Sequence, residues 1–126
     1  MSYANNIGDA ITALSLKAVG AETASTNGTG VDMAQYCGQV AFLLEAAAGT
    51  GTSPTNTVKI QHSDDNSTWV DSGYTFAQYT TSASRQKVVA VVDNLKRYVR
   101  SVSTIGGTTP SFTYAVVAIS AAKYPS

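Results

Sequence analysis

The stretch Val58 to Phe76, VKIQHSDDNSTWVDSGYTF, narrows the possible folds more than any other part of this chain. Val58, Ile60 and His62 alternate with Lys59, Gln61 and Ser63. That period of two marks a half-buried strand, because successive side chains leave a strand on opposite faces. Asp64, Asp65, Asn66 and Ser67 then bring together short polar side chains that hydrogen-bond nearby backbone and tolerate strained dihedrals, so the chain reverses there. A second strand follows, with the single tryptophan, Trp69, just past the turn. The reading is a β-hairpin in which Ser63, Asp64, Asp65 and Trp69 are the structural residues.

The rest of the chain repeats the signal. Ile11 to Val19 reads as a first strand with Leu14, Leu16 and Ala18 on one face. AETASTNGTGV is punctuated by Asn-Gly and Gly-X-Gly-like pairs and reads as a loop. Asp32 to Tyr36 makes a helical turn or a strand entry. Gln39 to Ala46, QVAFLLEA, is a strand apolar on both faces, hence central or covered. GTGTSPTNT reads as a flexible exposed connection and Ala77 to Ser84 as a polar loop. Strands are predicted over Arg85 to Val92, Arg97 to Thr104 and Phe112 to Ala121, with turns at Asp93-Asn94 and over IGGTTPS, Ile105 to Ser111. Six to eight short strands between turn signals predict an all-β fold, an antiparallel β-sandwich or jelly roll. Residues 1–10 form an N-terminal arm with isolated Tyr3 and Ile7, and residues 11–126 a single domain.

Composition enters as exclusion. A chain of 126 residues holds one core. Only 13% of residues are charged, and eight basic residues balance eight acidic ones. Wrapping nucleic acid takes a basic excess that displaces counterions, so no direct nucleic-acid partner is expected. Arg85, Lys87, Lys96, Arg97 and Arg100 fall in the second half and form either a local basic patch or a solvated strand edge. Zero net charge removes the repulsion that keeps copies apart, so self-association is easily accommodated. Cys37 is the single cysteine; no intrachain disulfide is possible, and its place before an apolar run suggests a small buried thiol. The start of the chain lacks the basic and apolar regions of a secretory signal, and no run reaches the ~18 apolar residues of a helical membrane span, so synthesis in a cytoplasm and no membrane partner are expected.

Catalytic chemistry is sought and not found. A nucleophile needs a base within reach, yet the chain's one histidine, His62, lies on the apolar face of a strand and reads as structural. One histidine and one cysteine fall short of a zinc ligand set. Asp64 and Asp65 are neighbours in a turn, where their carboxylates diverge instead of facing across a cleft. SDDNSTW approaches the sialidase Asp-box, Ser-X-Asp-X-Gly-X-Thr-Trp, but is one residue short, lacks its glycine and occurs once. No cofactor, metal site or enzymatic activity is expected. Aromatic residues are the remaining signal: Trp69, Tyr74, Phe76 and Tyr79 crowd one span, and such side chains carry interface energy when exposed together.

TNGTGVDMAQYCGQVAFLLEAAAGT, VKIQHSDDNSTW and LKRYVRSVSTIGGTTPSFTYAVVAIS, in this order from about Thr26 to Ile119, resemble small head decoration, or cement, proteins of tailed bacteriophages. The resemblance implies a β-sandwich or jelly-roll module that binds the outer capsid surface, with the major capsid protein as partner and a homo-oligomer, dimer or trimer, bridging capsid subunits of the virion. Under it, Tyr3, Ile7, Pro54, Tyr74, Phe76, Tyr79 and Arg85 are the candidate interface residues. Two alternatives stand beside it: a tail or baseplate component, and a discoidin-like carbohydrate-binding module. The latter is similar in its Arg-Tyr-X-Arg strand, matched by Arg97-Tyr98-Val99-Arg100, whereas Ser63 to Trp69 lacks the glycine of its Ser-Asp-Gly-X-X-Trp hairpin.

Overall fold

The structure, a computed structural model, describes the backbone of residues 11–122 and the side chains of residues 13–120. The expected arm of residues 1–10, with Tyr3 and Ile7, lies outside the described residues. Eight antiparallel strands follow in order: β1 (Ile11–Glu22), β2 (Thr26–Asn27), β3 (Val31–Asp32), β4 (Tyr36–Ala46), β5 (Thr50–Ser63), β6 (Val70–Thr75), β7 (Ser84–Val91) and β8 (Tyr98–Ala122). A 3-10 turn, Val92–Asn94, stands where the Asp93-Asn94 turn is expected.

Strand β8, 25 residues long, is the spine. Its first half pairs with β5 on one side and with β2 and β3 on the other. Its second half lies between β1 and β4. Adding β6 beyond β5 and β7 beyond β4 gives two four-position layers joined through β8, a sandwich whose two sheets share a strand.

This continuity corrects two expectations. Ile105 to Ser111 is not a turn, because the strand passes through it with Gly107 at φ 110 and Thr109 at φ 47. GTGTSPTNT is not a flexible connection, because Thr50 to Asn56 pairs along Ile105 to Ser111. Each segment carries turn-forming residues, yet each supplies the other's backbone partners, which removes the need to reverse. Contact there is close. A Cβ on Gly51 would lie 2.6 Å from the Thr109 carbonyl oxygen, and one on Gly107 would lie 2.7 Å from that of Ser53.

The core fills the space between the layers. Val40, Phe42, Leu44 and Ala46 alternate inward on β4, meeting Tyr114, Val116 and Ala118 of β8. Val58 and Ile60 of β5 and Val99 of β8 close it from the other layer. Fully burying each such side chain stabilises the fold by roughly 1.5–3 kcal/mol, so the alternation fixes which face of each strand turns inward. On β1, Leu16 is buried and Leu14 packs against the core, but Ala18 is exposed. Register shifts between Ser15 and Lys17 and between Lys17 and Gly20 break the predicted alternation. Cys37, expected to be buried, is exposed, since the strand is irregular between it and Val40 and the inward pattern begins only at Val40.

Candidate interaction surface

The hairpin forms as expected, β5 pairing with β6 across the Asp64 to Thr68 reversal. The Asp65 carboxylate oxygen Oδ1 accepts from the backbone N–H groups of Ser67 (3.0 Å) and Thr68 (2.8 Å) and from the Ser63 hydroxyl (2.9 Å). These donors, the Thr68 N–H first among them, hold its carboxyl below the ordinary aspartate range. Asp64 points elsewhere, 3.5 Å from the Lys96 ammonium. The two carboxylates thus serve the turn. His62 is half-buried, and its Nδ1 accepts from the Lys96 backbone N–H (3.2 Å). Burial, with the Lys96 charge second, lowers its basicity and favours the neutral ring that this acceptor role needs. Trp69 is partly buried, with the Arg100 guanidinium over its ring at 4.5 Å. Arg100 in turn donates to Gln61 Oε1 at 2.8 and 3.1 Å.

Of the predicted interface residues, Arg85 is exposed and Tyr74 half-buried. Pro54, Phe76 and Tyr79 are buried within the chain, which corrects their reading as exposed contacts. Phe76 returns its N–H to the Val58 carbonyl, so the second hairpin strand carries it into the core. Tyr79 is held by reciprocal backbone bonds with Asn56, by the Asn56 amide on its hydroxyl (2.8 Å), and edge-on against Phe112. Pro54 sits on β5 where the chain was expected to be loose.

The basic residues do not gather into a patch. Arg97 grips Asp32 through two hydrogen bonds (2.9 and 3.2 Å), Arg85 grips Glu45 likewise (2.5 and 2.9 Å), and Lys59 and Lys96 pair with Asp71 and Asp64. The Arg85 hydrogen bonds hold the Glu45 carboxyl below its usual range.

The feature left over is an asymmetry between the two outer faces. On the β5–β8 layer the outward rows are mostly polar: Thr57 beside Thr104, Lys59 beside Thr75 and Val102, Gln61 beside Arg100 and Asp71, with an isolated Val70, 43% exposed, beside His62. Such alternation of apolar inside and polar outside is the rule for an antiparallel sheet with one wet face. The β1–β8–β4–β7 layer breaks it. Its outward rows run Ala13, Ile119, Ala41, Val89 and then Ser15, Val117, Leu43, Lys87. Ala115, Glu45 and Arg85 form the next row, and Val91 lies beside Gln39. Val89 and Val91 are 46% and 40% exposed, and a shallow groove of about 480 Å³ opens over Leu43, Ala115 and Val117. The sequence carried this signal in QVAFLLEA, apolar on both faces: one face meets the core, and nothing in the described chain covers the other.

No family model matches the chain, and no curated protein matches it. Among solved structures it is similar to the PBSX exported protein XepA, at 18% identity and a TM-score of 0.55, over 91% of this chain and 38% of that one. It is similar to a chain of the infectious bursal disease virus T13 viral particle, at 9% identity and a TM-score of 0.59, over 91% of this chain and 32% of that one. It is also similar to a mutant VP2 protein of infectious bursal disease virus from derived particles, at 9% identity and a TM-score of 0.53, over 89% of this chain and 31% of that one. The chain spans about a third of the length of these structures, and at such identities the likeness is one of fold.

Proposed function

We propose that this chain is a non-enzymatic structural protein of a bacteriophage virion that binds the outer capsid surface and stabilises the head by bridging capsid subunits. The observation that carries the reading is the uncovered apolar face of the β1–β8–β4–β7 layer. A sheet that stays in water on one side places polar groups there, whereas contiguous apolar patches mark association surfaces. The fold is shared with chains of viral particles, which supports assembly as the use of that face. Of the residues weighed for catalysis, Asp65 holds the turn, Asp64 pairs with Lys96, and His62 accepts the Lys96 backbone N–H.

The mechanism is linkage. A protein that binds only the mature lattice stabilises that state by its differential affinity, multiplied over many sites. The test is the stoichiometry of this chain against the major capsid protein in purified virions, by quantitative mass spectrometry. A ratio near one or a simple fraction of it is expected. A ratio far lower moves the protein to the tail or baseplate, and absence from virions overturns the reading. The discoidin-like alternative is less well supported, because Arg100 already covers one face of the Trp69 ring on which a sugar would stack.

A further inference from the structure

We infer that the free edge of β7, from Lys87 to Val91, accepts an added strand: an extended segment of a partner polypeptide that runs antiparallel to it, with apolar side chains beside Val89 and Val91 and a carboxylate beside Lys87. This rests on reading the β1–β8–β4–β7 layer as an interface and names the kind of segment that meets its edge. A strand at the border of a sheet turns alternate N–H and C=O groups outward, and folded chains guard such borders with short strands, breaks in register, glycine, proline or charge. Among the described residues the two layers have four borders, and three are guarded. The pairing of β1 with β8 shifts register twice. β2 and β3 are two residues each. β6 is six residues long, its register shifts between Lys59 and Gln61 of β5, and it contains Gly73. β7 is different. It pairs with β4 without a break from Ser84 opposite Ala46 to Val91 opposite Gln39, it holds neither glycine nor proline, and no described strand pairs with its other side.

The first part of β7 is engaged by its own chain. The Gln86 amide accepts the Ala77 N–H (2.7 Å) and donates to the Ala77 carbonyl (2.9 Å), which ties the segment after β6 to that part of the strand. Arg85 reaches across to Glu45, its neighbour on β4. Lys87, by contrast, has no carboxylate partner among the described residues, and Val89 and Val91 are the exposed apolar side chains beyond it. Side chains directly opposite on paired strands stand about 4.5–5.5 Å apart, so the added strand meets the valines with apolar groups and the lysine with an acid. The antiparallel direction is the more stable per residue. The β7 of a second copy, centred on the same opening, would set Lys87 beside the copy's Val91 and leave both ammonium groups without an acid. A different chain, with a carboxylate in that place, fits better, and its strand lengthens the row Ala13, Ile119, Ala41, Val89 by one position.

The probe is a short blocked peptide in which threonine alternates with valine, valine and glutamate, in that order from its N-terminus. It is titrated to about 1 mM against the isotope-labelled full chain and followed by NMR. Shifts confined to the amides of β7 and its neighbour β4, with antiparallel cross-strand contacts to the peptide, are expected. Val89→Lys is expected to weaken binding at least ~10-fold with circular dichroism unchanged, and Val70→Lys on the β6 edge to leave it intact. A peptide with lysine in place of glutamate is expected to bind at least ~10-fold more weakly. No shifts, shifts centred on β6, binding indifferent to Val89→Lys or to the lysine peptide, or shifts of the chain alone that grow with its own concentration overturn the edge assignment. On virions the two readings separate. A Val89→Lys chain that keeps the parent's copy number overturns the edge while the virion reading stands, and a chain that takes the peptide as expected yet is absent from virions does the reverse.

Discussion

Replacing Lys17 by methionine tests how the first strand is held to the spine. Lys17 sits between the two register shifts of β1, and its side chain is 9% exposed. Its ammonium donates to the carbonyls of Ala18 (3.0 Å), Gly20 (3.3 Å) and Tyr114 (3.3 Å), lies 3.6 Å from the Glu22 carboxylate, and stands 4.2 Å from the centre of the Tyr114 ring. Methionine keeps most of the volume and none of the donors. A net hydrogen bond from a charged donor contributes about 1.5–3 kcal/mol and a partly desolvated cation over an aromatic face about 1–2, against which stands the cost of desolvating the ammonium. The net loss is about 2–4 kcal/mol. With an unfolding entropy near 2.1 cal/mol/K per residue over 126 residues, that is a fall in melting temperature of roughly 8–15 °C. Urea and thermal melts of the purified variant read it directly. Arg85→Met, which removes a surface ion pair with Glu45, serves as control and is expected to leave the midpoint in place. A Lys17→Met loss below about 1 kcal/mol would refute the claim that this cage anchors β1.

Other perturbations probe the hairpin and the close approach of β5 to β8. Gly107→Ala, at φ 110 with a Cβ 2.7 Å from the Ser53 carbonyl oxygen, is expected to cost about 2–4 kcal/mol, and Gly38→Ala, at φ 75 in open space, only about 1. Equal losses in urea melts would show that the β5–β8 approach is not tight. His62 is less basic folded than unfolded, so the unfolded chain binds its proton first. Stability is therefore expected to fall as pH drops below the ordinary value of 6.5. His62→Asn, which keeps an acceptor for the Lys96 N–H, should flatten that slope, and a slope unchanged in the variant assigns it to other groups. The depressed carboxyl of Asp65 acts in a lower window: its stabilisation is complete above the ordinary aspartate value of 3.8 and is lost as pH falls through the depressed one. Asp65→Ala is expected to lower the melting temperature at pH 7 and to weaken the acid dependence below pH 4; a variant as acid-sensitive as the parent counts against the turn argument.

Strand placement was legible wherever alternation was local. β5 from Val58 onward lies where the period of two puts it, and β4, β6 and β7 lie close to where apolar runs between turn signals put them. What failed was punctuation. Gly51, Ser53, Gly107 and Thr109 all carry positive φ, the signature of a turn, yet they occupy facing positions on paired strands. Such a residue reports a local twist in either setting, and only its partner, some fifty residues away, decides whether the chain reverses. The short strands β2 and β3 were hidden for a related reason: each is two residues long, too brief for a period to show. Aromatic clustering misled in the same way. Phe76 and Tyr79 are close in sequence to Trp69, but the hairpin directs them inward, so proximity along the chain did not translate into a shared surface.

The surface itself was written in the strand that looked like core. A segment apolar on both faces demands two coverings. Within this chain β4 receives one, since Val40, Phe42 and Leu44 point into the sandwich while Ala41 and Leu43 point out of it. The flanking strands do not compensate: β8 adds Val117 and Ile119 to the same outer face, and β7 adds Val89 and Val91 at the layer's edge. A mutation-tolerant wet face has no reason to keep branched apolar side chains on three adjacent strands, and the polar outer face of the other layer shows that this chain can do otherwise. On the proposed reading, the cover comes from outside the described residues. Sequence shows the apolar demand of β4 but not its extent, because the demand is local to β4 whereas the continuous apolar face appears only once β8, β4 and β7 are set in register.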